Sequence, residues 1–480
     1  MREWGATHRG SSALKITLHE YATDPSLPQK DGVNLAHENI ATLARQSDHP
    51  SLQFVFHDFV RLISDRNYAL SVLSACDCVI ANVGPHAHFY FWLREQLELS
   101  FIIISDVRTA IWSSYLHQES LCQPLRRPGD ILLIASNYTR GIYEHLFPHL
   151  KAARIVHCYP LAVSFPLERP RKKLPIQSGQ PLTLGYVGRL SADKNFADIL
   201  TLLICLEKKF PGKYRLKACG DIHTPTFSEP QVRQYLVAQL GHSECYDYLP
   251  ARSNTSIWPL YSDIDILLFP STSNLETLGR VLVEASYARV PVVTGAHAAA
   301  TELVPKSSLC RVEYTTKRVF DTHHDHPLGR VNVDDMARVI TGDQLVASNC
   351  YDAYAHHDEK LLELLLNLNN RHESESLALT DEQQHFIASL QVTMPASTPK
   401  QQTIDTITML AQWFIALQNI HHPHYQRSLE TLLERSSHRD RTEQFIAKSQ
   451  RTRGDFTNVG GIDIELCHLT NFYPSFYIKR

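Results

Sequence analysis

The sequence predicts an α/β protein built from two parallel-sheet domains and a helical extension. Three observations carry this. Short Val/Ile/Leu-rich strands alternate with helical segments over residues 13–165. The alternation breaks at a polar stretch and restarts at residue 182. Beyond about residue 345 it stops, and amphipathic helices take over. Near-continuous apolar strands alternating with helices form parallel sheets covered on both faces. At 480 residues the chain exceeds one simple core. The expected division is a first domain at 1–168, a linker at 169–180, a second domain at 181–345, and a mainly helical extension at 346–480.

In the first domain, 13–20 (ALKITLHE) and 52–57 (LQFVFH) read as strands. Between them 34–46 reads as a helix with Asn34 as N-cap. The intervening loop has only Gly32 and lacks a dinucleotide fingerprint. Further strands fall at 77–81, 101–104, 130–135 and 153–157, with helices at 86–98 and from Ser136-Asn137 to about Phe147. Polar residues at the carboxyl ends of parallel strands line a cleft. Here these are His19, Glu20, His57, Asp58, Asn82, Asp106, Arg108, Ser136 and Asn137.

The run Glu168 to Gln180 mixes proline, glycine and clustered charge, as a linker does, and Arg171, Lys172 and Lys173 read as solvated. In the second domain 182–187 (LTLGYV) and 214–219 (YRLKAC) read as strands, followed by a helix at 231–240, strands at 245–249 and 265–269, and a short strand at 290–293. After the first of these, Gly188 permits close backbone approach, and Arg189 and Lys194 stand beside the next helix start. Focused positive charge and free N–H groups suit phosphate, although a surface turn with two solvated cations fits equally. Gly220-Asp221 is either a ligand-contacting turn or a plain one. Asp263 and Asp265 look like a metal-binding DxD pair but open a buried strand, so their side chains belong at its amino end.

The stretch Pro270 to Val293 (PSTSNLETLGRVLVEASYARVPVV) is the most specific. A helix starting near Thr277 or Leu278 leaves Glu276 in the loop above it. Were it ideal throughout, Glu284 would lie about 80° around the axis. Carboxylates accept hydrogen bonds from vicinal hydroxyls, and the N–H groups of Thr277, Leu278 and Gly279 can meet an anion. An ordinary acidic helix start fits the spacing as well. The small-residue segment Gly295 to Leu303 leaves room for a ligand or the other domain.

Composition narrows the class. The formal charge is -3 and 43% of residues are hydrophobic, which favours globular packing over polyanion binding. Ten cysteines lack zinc spacing and read as reduced thiols. No window is long and apolar enough to span a membrane, and the first residues do not read as a secretory leader.

These residues resemble the retaining GT-B glycosyltransferases of family 4, the group 1 family. Gly188, Arg189, Leu190, Lys194 and Asn195 match its GRL…KN motif. Pro270, Ser271, Glu276, Gly279, Glu284, Ala285, Pro291, Val292 and Val293 match its PS…E.FG…EA…G.PVV motif. The likeness is good over 180–345 and follows element order alone over 13–165. It implies a GT-B fold, a nucleotide-diphosphate-sugar donor, and no required metal or other cofactor. By resemblance Arg189 and Lys194 contact the diphosphate, Glu276 the donor sugar and Glu284 the ribose. Gly279 lies where backbone amides approach the donor. Leu278 replaces a usual aromatic, and Arg289 stands where glycine is common. The family's first-domain histidine is missing, so Asp106 or Arg108 takes its place, or the acceptor side works differently. His86 and His88 fit packing better.

The implied activity is transfer of a sugar to a hydroxyl acceptor, whether glycan, lipid-linked or small molecule, in glycan assembly. A nucleotide-sugar epimerase and a degenerate binding or scaffold subunit are the alternatives. The chain reads as cytoplasmic, with peripheral contact at the inner membrane face left open. In the extension 359–368, 403–418 and 425–435 read as helices, one of them a candidate to pack on the first domain. The basic run Arg435 to Arg453 reads as solvated surface or a contact with anionic lipid.

Overall fold

The computed structural model describes residues 13–20, 32–83, 86–108, 113–147, 154–161, 164–170, 180–252, 256–273, 276–314, 328–342, 344–368, 377–390, 392–393, 398–418, 423–424, 427, 430 and 477–478. Arg171 to Lys173, nearly all of 425–435, the run Arg435 to Arg453 and Cys467 lie outside the described residues.

The first domain runs β1 (Leu14–His19), α1 (Gly32–Gln46), β2 (Leu52–His57), α2 (Phe59–Ser64), α3 (Arg66–Leu73), β3 (Cys78–Ala81), α4 (His88–Gln96), β4 (Ile102–Asp106), α5 (Ser113–Cys122), β5 (Ile131–Ile134), α6 (Asn137–Leu146) and β6 (Arg154–His157). The six strands pair in parallel in the order β2-β1-β3-β4-β5-β6. Side chains alternate between the two faces. Cys78, Ile80 and Ile104 face a layer containing Ile40 and Ala41 of α1. Val79, Ala81 and Ile103 face Leu62, Leu73 and Phe89 on α2 to α4. Burial on both sides is why these strands read as continuous apolar runs.

The second domain runs β7 (Leu182–Val187), α7 (Phe196–Lys209), β8 (Tyr214–Cys219), α8 (Glu229–Leu240), β9 (Tyr246–Leu249), α9 (Trp258–Asp263), β10 (Ile266–Phe269), α10 (Arg280–Tyr287), β11 (Val292–Gly295), α11 (Ala300–Leu303) and β12 (Leu309–Cys310). Its parallel sheet has the order β12-β11-β10-β7-β8-β9. The hairpin β13 (Val312–Tyr314) and β14 (Gly329–Val331) leads into α12 (Val333–Thr341).

The extension returns to the first domain. It comprises α13 (Tyr351–Tyr354), α14 (His357–Leu366), α15 (Asp381–Ala388), β15 (Val392–Thr393), α16 (Lys400–Gln418) and β16 (Tyr477–Ile478), with β15 and β16 antiparallel. Leu361, Leu364 and Leu365 of α14 join the α1 face of the first sheet. Ile407, Leu410 and Phe414 of α16 join the opposite face. Helix α14 therefore covers one side, while α16 and α15, whose Phe386 and Ile387 pack with Leu132 and Ile134, cover the other.

Several elements differ from the sequence expectation. Helix α1 begins at Gly32, so Asn34 lies inside it and is not the N-cap. Asp58 and Asp65 cap α2 and α3, accepting from Arg61 N and Tyr68 N. Helix α10 begins at Arg280, later than Thr277 or Leu278, because Gly279 sits in the left-handed region at φ 72°. Glu276 lies in the loop before the helix, as expected, but the 80° offset from Glu284 does not apply. Strand β11 covers Val292–Gly295, so Val290 and Pro291 precede it.

Candidate functional site

The order of the second sheet reverses between β7 and β10. Loops leaving the carboxyl ends of two such strands diverge and open a crevice. Residues 188–195 follow β7, and residues 270–279 follow β10. Asn195 ties the two loops together. It adopts the left-handed conformation (φ 53°, ψ 37°), which asparagine tolerates. Its side-chain amide reaches Pro270 O and Thr272 Oγ1 at 2.9 Å and Gly329 O at 3.0 Å.

That clasp sets Lys194 opposite Glu276. Lys194 Nζ donates to Glu276 Oε2 at 2.7 Å and to Ser271 Oγ at 3.3 Å, and Ser271 Oγ donates to the same carboxylate at 3.1 Å. Burial pushes the Glu276 pKa up, but the charge and hydrogen bonds of Lys194 and the Ser271 hydroxyl hold it below its usual value. Glu276 is therefore an ionised acceptor. Arg189 lies on the same loop, its guanidinium 3.2 Å from Asp193, and its side chain is a quarter exposed at 25%. Two cations and two carboxylates, those of Asp193 and Glu276, stand paired on these loops.

Glu284 is buried one turn into α10. It accepts from Tyr261 Oη and from Arg280 Nε, each at 2.7 Å, while Arg280 also donates to Ser164 Oγ at 2.7 Å. Both oxygens are held, so the carboxylate has a fixed orientation.

The glycines have separate reasons. A Cβ on Gly220 would lie 1.8 Å from the Gly188 carbonyl oxygen, so the β7 and β8 loops touch through bare backbone. Leu190 N donates to Asp221 O at 2.8 Å and continues that contact. A Cβ on Gly279 would meet Leu282 and Phe269 at 3.0 Å. Leu278 is buried in the same apolar cluster. Thr277 does not offer its polar groups to the crevice alone: its hydroxyl donates to Arg108 O at 3.1 Å, and its carbonyl accepts from Ser136 Oγ at 2.6 Å. The freed amides of α10 start at Arg280 and not at Thr277.

Across the cleft, Asp106 and Arg108 pair with each other. Arg108 Nε lies 2.6 Å from Asp106 Oδ1, and Asn82 Nδ2 donates to Asp106 Oδ2 at 2.6 Å. The guanidinium stacks over Tyr159 with its carbon 4.0 Å from the ring centre. Burial raises the Asp106 pKa against the pull of Arg108 and Asn82. Of the other expected cleft residues His57 and His19 turn inward, while His86 packs as the sequence suggests. His57 is in the core, bonded to Thr17 Oγ1 and Tyr90 Oη at 2.8 Å. His19 stacks on His37 with ring centres 4.0 Å apart. His86 packs among Phe59, Phe89 and Phe414. Burial lowers the pKa of all four of these histidines, to about 4 for His37 and about 3 for His57. They are neutral packing groups at physiological pH.

Asp263 and Asp265 are engaged separately, Asp263 with Lys217 at 3.2 Å and Asp265 as acceptor from Thr183 N at 2.8 Å. Among the described residues no group of three or more His, Cys, Asp or Glu is arranged to hold a metal ion. No described helix is long and apolar enough to cross a membrane.

Sequence reasoning missed Tyr261, Arg280, His297 and Glu302. Arg280 was findable, lying four residues before Glu284 on one helix. His297 is buried, with Nδ1 3.0 Å from Tyr314 Oη. Burial lowers its pKa to about 4, against a hydrogen bond to the Ser273 backbone and the nearby Glu276 charge. Its place just beyond the carboxyl end of β11 was the available signal.

Two parallel-sheet domains with their carboxyl-end loops brought together, and a charged crevice at the second switch point, make a GT-B fold. Residues 168–317 match the family model for glycosyl transferases group 1. Through this match the second domain is similar to the group 1 glycosyltransferases. It is 24% identical over 231 residues to the D-inositol 3-phosphate glycosyltransferase of Corynebacterium urealyticum, covering 43% of this chain and 54% of that protein. The chain thus spans about half the length of this curated relative. Among solved structures, the HepE protein of Anabaena in complex with UDP and glucose aligns at 15% identity and TM-score 0.49, covering 74% of this chain and all of that one. A glycosyltransferase from Rickettsia africae aligns at 14% identity and TM-score 0.49, covering 75% of this chain and all of that one.

Proposed function

We propose that this protein transfers a sugar from a nucleotide-diphosphate donor to a hydroxyl acceptor, with retained anomeric configuration. The observation that carries the reading is the Lys194–Glu276–Ser271 group at the switch point, with Arg189 on the same loop. A sugar nucleotide needs both signs of charge a few ångströms apart. Its diphosphate calls for cations, and its sugar hydroxyls call for a carboxylate acceptor.

In this reading Lys194 and Arg189 neutralise charge building on the departing diphosphate, a stabilisation largest in the transition state. Glu276 accepts from donor-sugar hydroxyls. Its pairing with Lys194 keeps it ionised, so it serves as an acceptor and not as a proton donor. Glu284, fixed by Tyr261 and Arg280, has lone pairs left for the ribose hydroxyls. Gly188 and Gly279 keep side chains out of the donor's path, and Gly220 with Asp221 braces the Gly188 loop. Asp106 and Arg108 neutralise each other, so we assign them to positioning the first-domain wall. No metal or other cofactor is assigned a step. The acceptor enters from the first domain, and peripheral contact with the cytoplasmic face of a membrane suits a lipid-linked acceptor.

The test is a screen of nucleotide sugars and hydroxyl acceptors for released nucleoside diphosphate, with product linkage determined by NMR. Transfer with retained configuration is expected. Interconversion of the donor without acceptor would mark an epimerase. Donor binding without turnover across the screen would mark a binding subunit.

A further inference from the structure

Beyond the donor crevice, the most distinctive polar contact is the one between the domains. It converges on the amino end of α6. The first amides of a helix have no partner within it. Here Asn137 N donates to Glu302 Oε2 at 3.1 Å and Tyr138 N to Glu302 Oε1 at 3.2 Å. Glu302 belongs to α11 of the second domain, so one carboxylate spans both free amides from across the cleft. Gln383 of α15 donates to Glu302 Oε1 at 3.2 Å and to Ala298 O at 3.0 Å, holding the carboxylate in place.

The same helix end grips the donor loop. Ser136, the N-cap of α6, donates its hydroxyl to Thr277 O at 2.6 Å, and Thr139 Oγ1 lies 3.4 Å from it. The Thr277 hydroxyl donates to Arg108 O. Thr277 directly follows Glu276. First-domain groups therefore fix the backbone beside the residue proposed to hold the donor sugar.

We propose that the amino end of α6 is the latch of the closed cleft. Glu302 and Thr277 are positioning residues that set the Glu276 loop only when the two domains meet. This rests on the transferase reading above. An open protein then binds the nucleotide through the second domain, where Arg189, Lys194 and Glu284 sit. The sugar reaches its reactive placement only after the latch forms. Chemistry is thereby coupled to closure, which keeps water from the reacting sugar.

The experiment compares wild type, Glu302→Ala, Glu302→Gln and Thr277→Val in the full chain, using amide hydrogen exchange and steady-state kinetics. In Glu302→Ala, exchange at Asn137 and Tyr138 should quicken about tenfold, and kcat should fall about tenfold with donor KM within about twofold. Glu302→Gln retains one acceptor oxygen and should fall between. Thr277→Val, nearly isosteric, should lower kcat about threefold with the same split. Unchanged exchange at Asn137 and Tyr138 in folded Glu302→Ala overturns the latch. So does a raised donor KM with kcat retained. If wild type transfers no sugar, the transferase reading fails, and the exchange measurement still decides whether Glu302 holds the domains together.

Discussion

The two domains share one architecture and differ in how much charge their strand-end loops carry. In the second, the pairs Arg189–Asp193 and Lys194–Glu276 stand on the β7 and β10 loops, and Arg280–Glu284 on the helix that follows. In the first, the strand ends carry neutral histidines and an Asp106–Arg108 pair that cancels itself. The lesson is that fold alone does not make a ligand site. What distinguishes the second domain is the Asn195 clasp, which brings two loops within ion-pair reach, where His19, His57 and His86 of the first turn inward to aromatic packing.

The largest effect that would break this contrast is Lys194→Ala. It should cut kcat/KM by about 10²–10³ by removing charge stabilisation at the leaving group. It also strips Glu276 of its partner, so some loss of stability accompanies it, and circular dichroism must show the folded state before rates are compared. Gly220→Ala follows. A methyl 1.8 Å from the Gly188 carbonyl forces the β7 loop to move, costing about 2–3 kcal/mol in urea unfolding.

Acid should separate the domains further. His37 and His57 of the first domain have pKa values lowered to about 4 and about 3, and His297 of the second to about 4. A histidine held neutral in the fold takes up a proton only in the unfolded chain between the two pKa values. Stability is therefore full above about pH 6.5 and declines as pH falls toward 4, by roughly 3 kcal/mol for each such group. Hydrogen exchange followed from pH 7 to pH 4 should show the first domain opening before the second. The smallest effect belongs to Asp263→Asn, whose side chain is exposed beside Lys217. Stability should stay within about 0.5 kcal/mol, with activity unchanged. A lost metal-dependent activity in that variant would restore the DxD reading.

The sequence made most strands of the second domain legible, although α10 and β11 each begin two or three residues later than read. Strands β7 and β8 fall at 182–187 and 214–219, as read from their apolar runs. The Arg189, Lys194, Glu276 and Glu284 group was visible because motif residues there are local to loop and helix starts. Short helices α2 and α3 were not read, although their caps Asp58 and Asp65 were in plain view. Helix α10 starts late because Gly279 takes a left-handed turn that spacing does not reveal. The contacts of Ser136 with Thr277 and of Asn137 with Glu302 join residues 141 and 165 positions apart, and no local pattern encodes them. Burial likewise hid that His57 belongs to the core and that Asp106 and Arg108 form an ion pair with each other.

The most direct measurement is calorimetric titration of nucleoside diphosphates and their parent nucleosides into wild type and Lys194→Ala. The account predicts that at least one diphosphate binds wild type and loses about tenfold or more in affinity in the variant, while its nucleoside binds both alike. Equal diphosphate affinity for the two folded proteins would contradict the claim that Lys194 and Glu276 form the donor grip.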